Sequence, residues 1–103
     1  MQKHGEYKMP GGKLVVVDLA VAGGRLDRVV VSGDFFLDPD EALEAIDAAL
    51  TGLPAGADSA TIARALEAGL PEGTTMYGVS AEAIAVAVRR AVDGMPADEA
   101  RRT

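Results

Sequence analysis

Apolar residues fall in two nearly continuous short runs in the first third of the chain and recur at helical spacing in the rest. From Lys13 to Ala22 (KLVVVDLAVA) and from Arg25 to Ser32 (RLDRVVVS) the chain is rich in β-branched residues, and Gly23-Gly24 separates the runs. This predicts a β-hairpin, because tight hairpin turns need positive φ, which glycine adopts at no steric cost. In the first strand Val15, Val17, Leu19 and Val21 share one face, assigned to the core, while Leu14, Val16, Asp18, Ala20 and Ala22 share the other. In the second strand Val29, Val31 and Phe35 line up but Leu26 is out of phase, so a bulge is expected near Asp27-Arg28. Glu6 to Met9 reads as a short edge strand stopped by Pro10-Gly11-Gly12, with no pairing partner assigned. Gly33 to Leu37 reads as a short strand or a bent extension of the sheet.

Three helices are expected downstream. The first is predicted from an N-cap at Asp38, with Pro39 at the first helical position and Glu41 at the third, to about Leu50. Leu43, Ile46 and Leu50, with Ala42 and Ala49, form its apolar stripe, and Asp40, Glu44 and Asp47 face water. The second starts at Asp58 or Ser59, turns Ile62, Ala65 and Leu66 inward and stops at Gly69 before Pro71. The third is capped by Ser80, turns Ile84, Ala87, Val88 and Ala91 inward and carries Arg89-Arg90 near its C-terminal end, where positive charge suits the helix dipole. Gly94 and Pro96 close it. Strands followed by helices predict an α+β fold, an antiparallel β-meander (a hairpin plus short strands) packed on three helices. Residues 1–94 form the domain and residues 95–103 a frayed tail.

Composition narrows the function. A chain of 103 residues is one domain, which excludes a two-domain enzyme. Only 4% of the residues are aromatic, so the core must be assembled from many small Ala and Val contacts. A net charge of -6 repels phosphate backbones and anionic bilayers, which argues against nucleic-acid and membrane partners. Without Cys there is no disulfide, thiolate zinc site, iron-sulfur cluster or thiol nucleophile. The opening Met1 to Gly5 lacks the apolar core of a signal peptide and no 18-residue apolar run is present, so the expected compartment is the cytoplasm.

Few residues invite chemistry. In Lys8-Met9-Pro10-Gly11-Gly12-Lys13, glycine amides beside two ammonium groups can hold a phosphate or carboxylate, although a structural turn explains the same pattern. It is not a P-loop, which has different glycine spacing and leads into a helix rather than a strand. Phe35 and Phe36 must point to opposite faces of an extended chain. Phe36 is the outward candidate for covering by a partner, the alternative being that both rings are buried. Asp40, Glu44 and Asp47 read as a solvated helix face. His4 lies near an N-terminus expected to be mobile, with no second ligand for a metal. Thr74 to Gly78 reads as a loop whose Tyr77 caps the core, with an interface anchor as the alternative. No nucleophile, base and orienting group are recognisable, so no catalytic residue is assigned.

Gly5 to Val15 (GEYKMPGGKLV), the Gly-Gly hairpin, and Ser32-Gly33-Asp34-Phe35-Phe36-Leu37-Asp38-Pro39 before an acidic helix together resemble a known family. This is the accessory C-terminal domain of lipoate-protein ligase, which some prokaryotes make as a separate small subunit. The resemblance runs from about Gly5 to Val92, with Gly78-Val79-Ser80 leading into the last helix. It implies an α+β domain similar to the scaffold fold of sulfur-assembly proteins, with no cofactor bound by this chain alone. The partner it implies is a catalytic subunit that binds ATP, magnesium and lipoate. That subunit forms lipoyl-adenylate and passes lipoate to a lysine on the lipoyl domain of a 2-oxoacid dehydrogenase or on glycine-cleavage H protein. The accessory part would serve adenylation more than transfer. In that setting Lys8, Gly11, Gly12 and Lys13 are expected to meet the partner or its anionic ligands, and Phe36 to anchor in it. Asp34 would bond loop amides or a partner Arg, or serve only its turn. The rival expectation is a small self-associating binding module unrelated to lipoate, whose exposed strand pairs with a copy of itself.

Overall fold

The computed structural model describes residues 2–10 and 13–93. Its elements are β1 (Gln2–Lys8), β2 (Leu14–Ala22), β3 (Arg25–Gly33), β4 (Phe36–Asp38), α1 (Ala42–Leu50), α2 (Ser59–Gly69), β5 (Thr75–Tyr77) and α3 (Ala81–Asp93). The fold is α+β, with an antiparallel meander in the order β1-β2-β3 and a separate two-stranded sheet of β4 and β5. The expected tail, residues 95–103, lies outside the described residues, as do Gly94 and Pro96.

The hairpin turns at Gly23-Gly24, both at positive φ. The bulge is present. Pairing shifts between Asp18↔Val30 and Ala20↔Asp27, and Arg28 adopts φ 53 there. The extra residue reverses the facing of β3, so that Leu26 on one side and Val29 and Val31 on the other all enter the core. The edge strand is longer than its sequence indicates. It begins at Gln2 rather than Glu6 and pairs along its whole length with β2, with Gly5 opposite Val17.

One face of the meander carries the helices. α3 crosses β1 and β2 and also packs on α2, while α1 covers β3 and packs on α2. Among the described residues the core is wholly apolar, with Val15, Val17, Val31, Ile46, Leu50, Ile62, Leu66, Ile84 and Val88 its largest fully buried side chains. Ala81, Ala83, Ala85, Ala87 and Ala91 of α3 are buried with them, because this helix is enclosed on two sides. At Gly5 the approach is closest, since a Cβ there would overlap the backbone of Ala87 and Ala91.

Caps of α2 and α3 match the sequence: Asp58 accepts from Thr61 N–H at 2.8 Å, and Ser80 Oγ accepts from Ala83 N–H at 3.1 Å. Its bond to Thr61 holds the Asp58 carboxyl below the ordinary aspartate value. The start of α1 differs from expectation. Asp38 is a strand residue opposite Thr75, and the N-cap is Glu41, which makes no side-chain cap bond. Backbone carbonyls of Pro39 and Asp40 instead accept from Ala42 and Leu43 N–H. Asp47, expected to face water, is half-buried and accepts from Val31 N–H of β3 at 3.1 Å, so it ties α1 to the sheet edge. Burial raises its pKa, partly offset by that bond. Arg89 donates to the carbonyls of Ala55 and Ala57, clamping the α1–α2 connection to α3.

Replacing Gly5 with Ala is expected to destabilise the domain by at least about 2 kcal/mol, since two backbones must separate to admit one methyl group. Urea unfolding of Gly5→Ala against the native protein measures this.

Candidate docking surface

Three connections converge at one end of the meander. Asp34 N–H donates to the Leu14 carbonyl at 3.0 Å, and Met9 N–H donates to the Lys13 carbonyl at 2.7 Å. These bonds fix the β3–β4 bend beside the start of β2. Gly33 packs so tightly on the Leu14 carbonyl that a side chain there would collide with it. Gly78, just after β5, faces the Asp34 carbonyl, Phe35 and the Lys13 side chain. Lys13 and Asp34 therefore share one corner with the chain on either side of Phe36. Lys8 is exposed opposite Leu14, at the near end of β1. Gly11 and Gly12 lie outside the described residues.

The short sheet beside this corner was half hidden in the sequence. Gly33 still belongs to β3, and the expected short strand follows as Phe36–Asp38, which leaves the meander and pairs with Thr75–Tyr77, a stretch expected to be a loop. Alternation then sorts the six residues. Leu37 is buried and Met76 half-buried, both against the core, while Phe36, Asp38, Thr75 and Tyr77 are exposed. Phe35 is partly buried against the core, so the two adjacent rings do point apart and Phe36 faces out, 64% exposed.

Tyr77 does not cap the core. It is 44% exposed and stacks on Phe36 at 4.9 Å between ring centroids and 23° between planes. Among the described residues the exposed large apolar side chains are Val30, Phe36 and Tyr77, and two of these three adjoin. Only the Phe36 half was legible, because Tyr77 joins it through a pairing between distant segments.

His4 also departs from expectation. It sits in β1, with Nδ1 2.6 Å from Asp18 Oδ1 and Nε2 2.7 Å from Glu6 Oε2. Carboxylates only accept, so both ring nitrogens must donate, which defines the cationic form. The bond to Asp18, then that to Glu6, raises its pKa above the ordinary value. The carboxylates meet opposite ring nitrogens and share no centre with the ring. Among the described residues no cluster of His, Asp and Glu is arranged to hold a metal ion.

Because the folded value is raised, the His4 contribution is fully present below the unfolded value of about 6.5 and is lost as pH rises through the folded value. His4→Gln should accordingly lower the melting temperature by a few degrees at pH 5.5, with the gap closing by pH 9. Thermal unfolding across that range checks the sign.

The fold and this corner define a small α+β domain that offers an exposed aromatic pair beside a loop cluster. None of its described helices is long and apolar enough to cross a membrane. No protein-family model matches the sequence, and no curated protein matches it. Among solved structures, the chain is similar to one in a structure of an archaeal lipoylation system, a bi-partite lipoate protein ligase and its E2 lipoyl domain from Thermoplasma acidophilum. The identity is 25% and the TM-score 0.64, over 86% of this chain and 93% of the other.

Proposed function

We propose that this chain is a non-catalytic accessory subunit that docks on a lipoate-protein ligase catalytic subunit and enables lipoate adenylation. The observation that carries the reading is the likeness, nearly end to end in both chains, to a chain in a structure of an archaeal lipoylation system made of a bi-partite lipoate protein ligase and its E2 lipoyl domain. The matched chain is about as short as this one, which favours a short component, the smaller part of the ligase or the E2 lipoyl domain, over a part that must enclose ATP, magnesium and lipoate. The Gly5 to Lys13 and Ser32 to Pro39 motifs support the same reading. In the fold Lys13 from the one and Asp34 and Phe35 from the other lie around Gly78, next in sequence to the Phe36–Tyr77 pair.

Adenylation requires the lipoate carboxylate to attack the α-phosphorus of ATP and expel pyrophosphate. Two anions must be brought together and water kept from the mixed anhydride that forms. A docked domain assists by binding the closed state of the catalytic loops more tightly than the open one. Lys8 and Lys13, with the Gly11-Gly12 amides between them, approach the anionic ligands or the loops that hold them. Phe36 anchors the contact, and Asp34 bonds a loop amide or an Arg of the catalytic subunit. Transfer to the acceptor lysine then needs access for a whole folded lipoyl domain, from a 2-oxoacid dehydrogenase or glycine-cleavage H protein, so the accessory subunit swings aside or leaves.

Mixing the chain with its cognate catalytic subunit, ATP, magnesium and lipoate is expected to yield lipoyl-adenylate that neither protein forms alone. Equal yield from the catalytic subunit by itself refutes the accessory role. Sedimentation on the same mixture should show a monomer becoming a heterodimer; a homodimer indifferent to the catalytic subunit supports a self-associating module instead.

A further inference from the structure

The aromatic pair and its surroundings carry information about the surface it meets. Phe36 and Tyr77 face each other across paired backbones, so both rings are already placed before any partner arrives. Each ring has few rotatable bonds, and ordering on binding therefore costs little. Stacking uses one face of each ring and leaves the rest of both open. Asp38 and Thr75 complete the same exposed face of the short sheet.

Charge around this face is one-sided. From Asp34 to Glu44 the chain places five exposed carboxylates, Asp34, Asp38, Asp40, Glu41 and Glu44, and no Lys or Arg occurs from Val29 to Ala63. Lys13 stands at the border of the face, beside Gly78. An anionic bilayer or a nucleic acid would be repelled by these carboxylates. A second copy of the chain, docked through the same face about a two-fold axis, would set one carboxylate group against its twin, and like charges so placed disfavour association.

We propose that the Phe36–Tyr77 pair seats in an apolar pocket on the partner protein whose rim carries Lys and Arg, opposite Asp38, Asp40 and Glu41. The inference rests on the accessory-subunit reading and names the chemistry of the surface that receives the domain. Ring burial supplies the affinity and opposite charge sets the approach and orientation. A rim of Lys and Arg meets these carboxylates on protein surface, while Lys8 and Lys13 at the neighbouring corner are left to meet the anionic ligands.

Binding to the cognate catalytic subunit, followed by calorimetry and stopped-flow at 50 and 300 mM NaCl, tests it. Phe36→Ala and Tyr77→Ala are each expected to weaken binding about tenfold or more, mainly through faster dissociation. Both should keep a thermal midpoint within a few degrees of the native protein, because both rings are exposed. Asp38→Lys combined with Asp40→Lys, which leaves the ring stack in place, should slow association about tenfold at low salt, with the difference shrinking at high salt. Native-strength binding by both aromatic variants, or tighter binding by the charge-reversed variant, overturns the pocket while the accessory reading stands. No binding by the unaltered chain overturns both.

Discussion

The contact on which the architecture depends is the seating of α3 directly on β1 at Gly5. With no side chain on the strand and only methyl groups on the helix at Ala87 and Ala91, the two backbones meet without an intervening layer. That closeness lets a chain poor in aromatics fill its interior with Val, Ile, Leu and Ala. It also places α3 deep enough to be covered by α2 on its far side, and α1 then closes over β3. Polar groups are kept out of the core and used at its margins. Arg89 clamps the α1–α2 connection, Asp47 ties α1 to β3, and Arg90 lies over Tyr7 and donates to the Glu6 carbonyl.

Signals contained within a dozen residues were legible in the sequence, and those that depend on remote partners were not. The Gly-Gly turn, the phase error at Leu26 that marks the bulge, and the caps at Asp58 and Ser80 are local and appear where expected. Thr75 to Tyr77 is too short to display alternation, and it becomes a strand because Phe36 to Asp38 lies beside it. The same pairing takes Asp38 away from the helix, which is why a strong Asp-Pro start signal fails there. His4 looked idle because Asp18 is brought opposite it only by the β1–β2 register.

The candidate surface divides in the same way. Phe36 was exposed on the logic of adjacent rings in extended chain, and its neighbours Lys13 and Asp34 were chosen from motifs. Their convergence is a property of the fold, produced by the bonds from Asp34 to Leu14 and from Met9 to Lys13 and by the packing around Gly78. Tyr77 was read as a core cap with an interface anchor as the alternative, and its cross-strand partner Phe36 decides for the exposed position.

Since the stacked rings are contributed by segments far apart along the chain, the face they form exists only when β4 and β5 are paired across the intervening α1 and α2 segment. A nascent or partly denatured polypeptide displays the two side chains separately and in no fixed relation. The stacked pair therefore reports on the tertiary fold, because loosening the pairing of β4 with β5 separates the rings even where each segment keeps its own sequence and local shape.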